Sequence, residues 1–440
     1  MIVCINPWLD DFTAYDLWAK PVGLLEIYSF LQKQSLPVTY IDFLYTRYPD
    51  IPFSLVSALR ARPDGRSEFI KTEIEKPSPY QVAGIPRHYY RYGLPEETAR
   101  AMLQSIECPT LFFITSIMTY WYSGLHATIR LIREVHPNVP IVVGGIYATL
   151  CTAHAQQTCG ADHVLPGNDY GIITQLIEKY TVYSISPATM DTAYDLDWNI
   201  YPDMKYIPLR FSQSCPYHCP YCAGPFLSGK YRVLSWEKVY KEFCVWYDSG
   251  IRHFALYDDA VLVDADTGIK PFLRRLLHDG RNAFFHTPNA MHVNLFDSEM
   301  AELASEARFS TLRFGFETVR REALQSEDKT DRNNMQQLAQ RLAKEGFHRD
   351  SIRIYLIAGM PGQHRDEVRE SIHFIRSLGL QPIVNEYSPV PHSKMFMQAC
   401  MSSPYALQEE PLYHNNSIVA CRWEGLTYDD MQTLKREARE

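Results

Sequence analysis

The sequence predicts an α/β protein in two parts: an open, doubly wound parallel sheet, followed by a partial (β/α)6 barrel. Short apolar runs typical of buried parallel strands recur along the 440 residues, and amphipathic helical patterns separate them. Strands that alternate with helices at this spacing form parallel sheets. Hydrophobic residues make up 46% and charged residues 21%, a globular composition that excludes a disordered chain. At about 150 residues per domain, this length favours two or three domains.

Residues 1–180 contain the patterns of the open sheet. Five apolar runs are predicted as its strands: Ile2–Asn6, Val38–Leu44, Leu111–Thr115, Ile141–Val143 and His163–Leu165. Helical patterns stand at Val22–Gln34 and Leu125–Val135. A long connection at about 47–109 is rich in proline and charge, and we interpret it as an insertion. It can serve as a lid, a partner surface or a solvated flap.

Residues 204–425 contain the patterns of the barrel, after a linker predicted at 181–203. Six strands are predicted: Ile207–Ser212, His253–Tyr257, Ala283–His286, Thr311–Phe316, Ile352–Ile357 and Pro382–Glu386. Five helices are predicted between and after them: Trp236–Asp248, Ile269–Leu277, Ser298–Ala307, Asn334–Lys344 and Arg365–Ser377. Residues 426–440 are predicted as a C-terminal helix or tail. In such barrels the active residues lie at the carboxyl ends of the strands, so the residues after each strand are candidates.

The charge balance and the N-terminal segment limit the function classes. Lysine and arginine number 43 against 51 aspartates and glutamates, a net charge of −8, so no global basic surface indicates nucleic-acid binding. No apolar run of the sequence approaches the ~20 residues of a membrane helix. The first residues, MIVCINPWLDDF, lack the basic flank and long apolar core of a signal peptide. We therefore expect a cytoplasmic protein without a membrane partner.

Three of the ten cysteines stand close together, as Cys215-x3-Cys219-x2-Cys222. Thiolates that converge from one loop are typical of a metal site. Structural zinc requires a fourth protein ligand, and a [4Fe–4S] cluster usually takes four cysteines. Three cysteines leave one iron of such a cluster open to a substrate or cofactor, while a zinc or redox loop is the alternative. The other seven cysteines are interpreted as buried free thiols. The alternative is that Cys400 and Cys421 are ligands of an auxiliary cluster.

The cysteine loop, with an aromatic residue before its third cysteine, resembles the signature of the radical S-adenosylmethionine (SAM) superfamily. The resemblance implies that the open iron chelates the amino and carboxylate groups of SAM, whose reductive cleavage releases a 5′-deoxyadenosyl radical. Segments at five strand ends match in the expected order, among them the Gly359-x-Pro-Gly-Gln turn. The resemblance assigns the parts of SAM to these residues: the ammonium to Asp258 and Asp259, the carboxylate to Arg313, the ribose to Asn289 and Glu317, and the adenine to Gly359, with Tyr221 at the same cofactor.

The first part resembles the cobalamin-binding Rossmann-like domain, through Ser116-x-Met118 and, 28 positions later, Gly144-Gly145. Only glycine lets the backbone come flush against a flat ligand, and a small hydroxyl can bond a buried base. The family's D-x-H-x-x-G motif, whose histidine ligates cobalt, is absent from the sequence, so the stretch after Met118 is expected to cover the lower face instead. The residues that the resemblance assigns to cobalamin are Ser116, Met118, Thr119, Tyr120, Trp121, Gly144, Gly145, Tyr147 and Gly167. An α/β domain without a cofactor is the alternative.

Together the two resemblances imply a radical SAM enzyme with a [4Fe–4S] cluster, SAM and cobalamin as cofactors. The leading hypothesis is methylation of an unactivated carbon or phosphorus centre. A second hypothesis is a radical rearrangement, cyclisation or oxidation without methyl transfer, and a third is a non-catalytic sensor of cobalamin or metal. The expected partners are a small-molecule or peptide substrate and an electron donor of the flavodoxin or ferredoxin type. No residue is assigned as the general base.

Overall fold

A computed structural model describes residues 1–185, 194, 196–320, 331–422 and 425–440. The chain divides into two compact units. The first comprises residues 1–204 together with 409–413, and the second comprises residues 205–408 together with 414–440. Within the described ranges, no helix combines the length and apolar character needed to cross a lipid bilayer.

The first unit contains a parallel sheet covered by helices. Its strands are β1 (Ile2–Asn6), β2 (Leu9–Asp11), β3 (Val38–Asp42), β4 (Lys71–Ile74), β5 (Tyr89–Tyr92), β6 (Leu111–Ile114), β7 (Ile141–Val143) and β8 (His163–Val164). Its helices are α1 (Val22–Lys33), α2 (Phe53–Ser57), α3 (Ser78–Val82), α4 (Glu96–Gln104), α5 (Tyr122–Val135), α6 (Ile146–Leu150), α7 (Thr152–Thr158) and α8 (Tyr170–Tyr180). The five parallel strands stand in the order β3-β1-β6-β7-β8, a doubly wound order whose crevice opens at the carboxyl ends of the strands.

Burial on both faces explains why the central strands are continuous apolar runs. Every residue of β1, β6 and β7 is buried, as expected where helices cover both faces of a parallel sheet. One face packs against α4 and α5, which contribute buried residues such as Leu103, Leu125 and Ile132 to the core. The predicted open sheet is confirmed, and all five strands lie where the apolar runs place them.

The predicted insertion at 47–109 contains more regular structure than its composition suggests. Strands β2, β5 and β4 form a small antiparallel sheet, which the paired Asp10 and Arg91 side chains hold through Nε–Oδ1 at 2.9 Å and Nη2–Oδ2 at 3.0 Å. Helix α4 lies inside the range but belongs to the main fold, because it buries Ala99 and Leu103 in the core. The true insertion therefore ends before Glu96, and the remainder is the ordinary crossover helix that precedes β6.

The described part of the predicted linker packs within the first unit. The hydroxyl of Tyr201 donates to Asp42 Oδ2 at 2.6 Å, and the backbone N–H of Asp197 donates to Ser29 Oγ at 2.9 Å. Trp198 is buried. These contacts make the second half of the segment part of the domain, whereas residues 186–193 and 195 lie outside the described residues.

The second unit is an open barrel of parallel strands. Its strands are β9 (Tyr206–Leu209), β10 (Ser212–Gln213), β11 (Arg232–Val233), β12 (His253–Leu256), β13 (Phe284–His286), β14 (Met291–His292), β15 (Phe309–Glu317), β16 (Ile352–Ala358) and β17 (Pro382–Glu386). Its helices are α9 (Gly224–Ser228), α10 (Trp236–Asp248), α11 (Ile269–His278), α12 (Ser298–Glu306), α13 (Arg332–Lys344), α14 (Arg365–Ser377), α15 (Phe396–Ser402) and α16 (Tyr428–Glu437). Six strands pair in the order β9-β12-β13-β15-β16-β17, which confirms the predicted (β/α)6 arrangement.

Side-chain caps set the start of many of these helices. An oxygen of the residue before the first turn accepts a backbone N–H that the helix itself leaves unpaired. The capping residues of this kind are Asp169, Ser235, Asp297, Asp331 and Thr427. The last of them begins α16, the predicted C-terminal helix, which an ion pair between Arg369 and Glu437 at 3.0 Å links to α14.

Candidate active site and cofactor cavity

The three clustered cysteines lie in the loop 214–231 that joins β10 to β11. This two-stranded hairpin stands just after β9, so it presents the loop at the carboxyl edge of the barrel. Ser214 has a left-handed φ of 66°, and its hydroxyl donates to the carbonyl of Gly229 at 2.9 Å, which closes the base of the loop. On the other side, the backbone N–H of Met395 donates to Pro220 O at 2.8 Å. The loop is therefore held at its base and near its middle.

The cysteine thiols lie close enough to affect one another. The pKa of Cys215 is raised to about 11, chiefly by burial, and the neighbouring Cys219 and Cys222 contribute to this rise. Cys222 is exposed, and its sulfur accepts the N–H of Gly224 at 3.2 Å. Among the described residues, no three His, Cys, Asp or Glu side chains converge as closely as one metal ion requires. Three thiols spread over one loop fit a multi-iron cluster, whose ligands bind different metal atoms, and the loop offers no fourth thiol.

Tyr221 joins the cysteine loop to the end of β15. Its hydroxyl donates to Glu317 Oε1 at 2.9 Å, and both side chains are largely shielded from solvent. Glu317 has a left-handed φ of 65°, and the pairing of β15 with β16 shifts register between Gly315 and Glu317. Backbone strain of this kind in a non-glycine residue persists where the surroundings hold it, often at functional sites. The structure thus brings two of the predicted SAM residues into direct contact.

Asp258 anchors the segment that leads into the cysteine loop. Its Oδ1 accepts three hydrogen bonds, from the N–H of Phe211 at 2.8 Å, the N–H of Ser212 at 2.6 Å and the Ser212 hydroxyl at 2.7 Å. The side chain is buried, and this burial raises the pKa of Asp258 to about 6 although the three hydrogen bonds oppose the rise. Its position makes Asp258 a positioning residue for the loop rather than a group that faces solvent.

Asp259 and Asn289 lie at the same carboxyl edge and are exposed. The charge of Asp259 contributes to the raised pKa of Cys215, which places this carboxylate beside the cysteine loop. The side-chain amide of Asn289 donates to the carbonyl of Asp258 at 3.0 Å. Asn289 therefore joins the ends of β12 and β13.

Gly359 begins a tight turn after β16, with a left-handed φ of 91°. The side chain of Gln363 closes this turn: its Oε1 accepts the N–H of Gly359 at 2.8 Å, and its Nε2 donates to Ile357 O at 3.1 Å. A Cβ on Gly359 would stand 3.4 Å from Met431, so the glycine is packed from behind by the C-terminal helix. The turn thus has a rigid backbone of the kind that can contact a base.

The structure does not bring Arg313 to this edge. The residue lies four positions before the end of β15, and its Nη1 donates to the carbonyls of Leu312 at 3.1 Å and Ser351 at 3.3 Å. Ser351 precedes β16, so the guanidinium is turned toward the amino ends of the strands, away from the cysteines. The apolar pattern ended this strand at Phe316, whereas β15 extends to Glu317, so Arg313 lies one residue further from the strand end than the pattern indicated.

Arg210 is the cation that the sequence reasoning missed. It directly follows β9 at the carboxyl edge and is half-exposed. Its charge lowers the pKa of Asp258, Asp259 and Tyr257 against the dominant effect of burial. The apolar pattern extended this strand to Ser212, which hid Arg210 inside the strand. The detectable signal is a lone arginine five positions before the first cysteine of the motif.

In the first unit, a cavity of about 160 Å³ opens at the carboxyl edge of the parallel sheet. Three of the predicted cobalamin residues line it: Gly144, Gly145 and Gly167. Its other walls come from the ends of β6 and β7, from α1 and from the start of α8, and they include apolar Leu24 and Ile173. Such a cavity suits a flat apolar group, because its glycines leave the backbone bare.

Gly145 is required by its surroundings rather than by the cavity alone. It has φ 90° and ψ −164°, and a Cβ there would stand 2.4 Å from Ser116 O. A Cβ on Gly144 would meet only Leu165 O, at 3.9 Å. The Ser116 hydroxyl donates to Gly144 O at 2.7 Å, so this predicted ligand residue is used to clamp the two strand ends together.

Five other residues assigned to cobalamin do not line the cavity. Tyr147 is fully buried among the helices, where its hydroxyl pairs with His154 Nδ1 at 2.7 Å, because α6 begins at Ile146 and turns this side chain into the core. Trp121 donates its indole N–H to Asp11 Oδ2 at 2.6 Å and packs against the small antiparallel sheet. The remaining three lie beside Trp121, two of them buried and the first exposed: Met118, Thr119 and Tyr120.

Residues 209–375 match the family model of the radical SAM superfamily. The second unit carries a radical SAM domain. The match includes the three cysteines and the ends of β12, β13, β15 and β16, so the residues described above at this edge belong to the radical SAM domain.

Two curated relatives share sequence with the chain. The ribosomal protein uS12 methylthiotransferase RimO of Petrotoga mobilis is 23% identical over 220 residues, which cover 48% of this chain and 50% of the relative.

The hopanoid C-2 methylase of Rhodopseudomonas palustris is 25% identical over 265 residues, or 55% of this chain and 50% of the relative. The chain thus spans about half the length of the curated relatives it matches. Among solved structures, TsrM from Kitasatospora setae, a radical SAM methyltransferase, matches with tryptophan and a SAM analogue bound at a TM-score of 0.65 and 14% identity. That match covers 91% of this chain and 76% of TsrM.

The structure of TsrM with cobalamin and a [4Fe–4S] cluster matches at a TM-score of 0.64 and 15% identity, over 91% of this chain and 77% of that chain. At this identity the likeness shows a shared fold. It covers both units, so the predicted combination of a Rossmann-like domain with a radical SAM partial barrel is confirmed.

Proposed function

We propose that this protein is a radical SAM methylating enzyme that uses a [4Fe–4S] cluster, SAM and cobalamin. The observation that carries the proposal is the three-cysteine loop at the carboxyl edge of a radical SAM domain, with no fourth thiol in the loop. The exposed carboxylate of Asp259 acts on the pKa of Cys215, one of the three residues that would hold the cluster. When bound, the cluster would supply the electron that cleaves SAM, and cobalamin would supply the methyl group.

The residues around the loop support SAM as the ligand. Cys215, Cys219 and Cys222 would hold the cluster, while Asp259 would hold the ammonium of the methionine moiety through a charge-assisted hydrogen bond. The hydrogen bond from Tyr221 keeps the Glu317 carboxylate in place, where it can accept from the ribose hydroxyls. The backbone of the closed turn at Gly359 is available to the adenine.

The cavity in the first unit supports cobalamin. A cavity of about 150 Å³ is enough for a benzene-sized ring, so about 160 Å³ can accept the ring system at the end of the nucleotide tail. Buried Glu26 lines the cavity and accepts a hydrogen bond from Tyr170 at 3.2 Å, so the lining combines apolar side chains with a buried carboxylate. The relatives' own names support methylation, since TsrM is a methyltransferase and one curated relative is a methylase.

Two finer assignments complete the proposal. The substrate is a small molecule or a peptide, and the electron comes from a donor of the flavodoxin or ferredoxin type in a cytoplasmic setting. A second candidate function, radical rearrangement or oxidation without methyl transfer, is favoured by one observation: the sequence lacks the cobalt-ligating D-x-H-x-x-G motif.

Anaerobic reconstitution of the full chain with iron, sulfide and cobalamin tests the proposal. We expect the paramagnetic resonance spectrum of a [4Fe–4S] cluster, cobalamin that stays bound through gel filtration, and 5′-deoxyadenosine formed from SAM under dithionite. S-adenosylhomocysteine released by protein loaded with reduced cobalamin supports methyl transfer. Release of 5′-deoxyadenosine alone favours the second candidate, and a protein that never retains cobalamin contradicts the methylation proposal.

The anchor role of Asp258 gives a prediction for neighbouring variants. Replacing Asp258 by alanine removes the acceptor of three hydrogen bonds in front of Cys215, at a cost of about 3 kcal/mol of unfolding free energy. We expect the iron content after reconstitution to fall sharply, and Asp258→Asn to restore much of it because the amide oxygen still accepts.

The adjacent Asp259→Ala is the matched control. Because Asp259 is exposed, this variant should keep its stability and iron content while it binds SAM more weakly. Iron content and urea denaturation measure the two effects. Equal iron content and stability in both alanine variants would contradict the division of roles.

A further inference from the structure

Strand β4 lies at the outer edge of the small antiparallel sheet in the first unit. The strands of this sheet stand in the order β2-β5-β4, so β5 occupies one side of β4, and no described strand pairs with the other side. Three of the four residues of β4 are exposed: Lys71, Thr72 and Glu73. Such an edge presents backbone N–H and carbonyl groups to which another extended chain can add.

The pairing with β5 determines which backbone groups of β4 face outward. Beside the start of β4, the N–H of Gly93 donates to Ile70 O at 2.8 Å, in register with the pairing of the two strands. Hydrogen-bonded positions alternate along an antiparallel pair, so the backbone of Thr72 also bonds to β5. The N–H and carbonyl groups of Lys71 and Glu73 therefore point away from β5, and no turn or loop of the described ranges bonds to them.

The charges on β4 suit a second copy of the same strand. When two copies run antiparallel about a two-fold axis at Thr72, Lys71 of each copy stands opposite Glu73 of the other. These are the residues with outward backbone groups, so each opposed pair can also exchange both of its N–H···O bonds. An axis at Lys71 or at Glu73 would instead place like charges opposite each other, which destabilises a strand pair.

The arrangement on β4 differs from the charges that commonly keep an edge strand unpaired. Lysines or proline along an edge repel or block any added strand. Here one cation and one anion stand two positions apart, and contacts toward β5 hold both over the same face of the sheet. Glu73 Oε1 lies 2.6 Å from His88 Nδ1, and Lys71 Nζ lies 4.5 Å from the ring centre of Tyr90. Opposite charges at this spacing favour one symmetric register and disfavour its neighbours.

We propose that this protein forms a two-fold symmetric dimer through β4, in which the small sheets of two copies join into one continuous antiparallel sheet. The inference goes beyond the proposed function and does not depend on it. Because β4 is short, the interface is at the small end of those that form specific complexes. The dimer should therefore form and dissociate with protein concentration.

Sedimentation velocity of the full chain, from micromolar to submillimolar concentration, measures this dimer. The variants are Lys71→Glu, Glu73→Lys and the double variant that carries both changes. Each single variant places like charges opposite each other at both contacts, whereas the double variant exchanges the charges and restores their complementarity. Glu107→Lys, the same change of charge at an exposed residue outside the small sheet, is the matched control. Circular dichroism checks that each variant is folded.

We expect wild type, the double variant and Glu107→Lys to dimerise with similar dissociation constants, and each single variant to dimerise about 10- to 100-fold more weakly. An equimolar mixture of the two single variants should recover a dimer, because their edges are complementary to each other. Hydrogen–deuterium exchange should show the amides of Lys71 and Glu73 becoming protected as the wild-type dimer forms.

Three results would overturn the inference. The first is wild type that stays monomeric throughout the concentration range. The second is a dimer that the single variants leave unchanged, which would place the contact elsewhere on the surface. The third is protection of the Lys71 and Glu73 amides that does not depend on concentration, which would show that the edge is covered within one chain.

Discussion

Replacing Cys219 by alanine should abolish both the cluster and the reductive cleavage of SAM. The loop supplies three thiols and no fourth, so the loss of one leaves two ligands for a cluster that needs at least three. Mutating a residue that only hydrogen-bonds to a metal ligand already lowers metal affinity or activity about 10–100-fold. Removing a ligand itself should therefore lower cluster binding and SAM cleavage by more than about 100-fold. The measurements are iron and sulfide per chain, the visible spectrum and 5′-deoxyadenosine under dithionite.

Cys244→Ala is the matched control for this variant. Cys244 is half-buried on α10, outside the loop, and its replacement removes one thiol of similar exposure. It should bind the same amount of iron as wild type. Cleavage of SAM by wild type and its absence in Cys219→Ala would exclude a non-catalytic sensor. Full cluster content in Cys219→Ala would show that these cysteines are not the ligands.

The strands could be predicted from the sequence because burial on both faces makes them plain apolar runs. Strand β7 and strand β17 have the predicted bounds, since a turn residue or a proline marks each end. The small antiparallel sheet was not predicted, because its strands carry charged and tyrosine residues such as Lys71 and Arg91 and lack an apolar period. The crossover helix α4 was hidden by the proline-rich composition around it.

The candidate site shows where sequence reasoning stops. The cysteine spacing is local, so its role can be inferred without coordinates. Side-chain direction is not local: Arg313 and Tyr147 occupy the expected sequence positions, but one points to the opposite strand ends and the other into the core. Ser116 is at the expected place too, yet its hydroxyl holds Gly144 O. Small shifts of an element boundary decide such outcomes, and periodicity does not resolve them.

Replacing Gly145 by alanine should destabilise the first unit. Its backbone lies in a region that is nearly closed to other residues, and the new Cβ would stand 2.4 Å from Ser116 O and 2.7 Å from Ser116 N. Neither backbone atom can move without breaking the link between β6 and β7. The strain and the overlap together should cost about 3 kcal/mol. For a unit of this size the melting temperature should fall by roughly 6–12 °C.

Gly144→Ala separates this packing requirement from the proposed cofactor cavity. Its Cβ would meet only Leu165 O at 3.9 Å, an ordinary contact, but it would project from a residue that lines the cavity. The variant should melt like wild type and bind cobalamin about 10- to 100-fold more weakly, because a methyl group in a fitted cavity is overpacked. Calorimetry of the protein without cobalamin measures the first effect, and retention of cobalamin in gel filtration measures the second. Gly144→Ala that binds cobalamin as tightly as wild type would place the cofactor outside this cavity, while the steric requirement at Gly145 would stand.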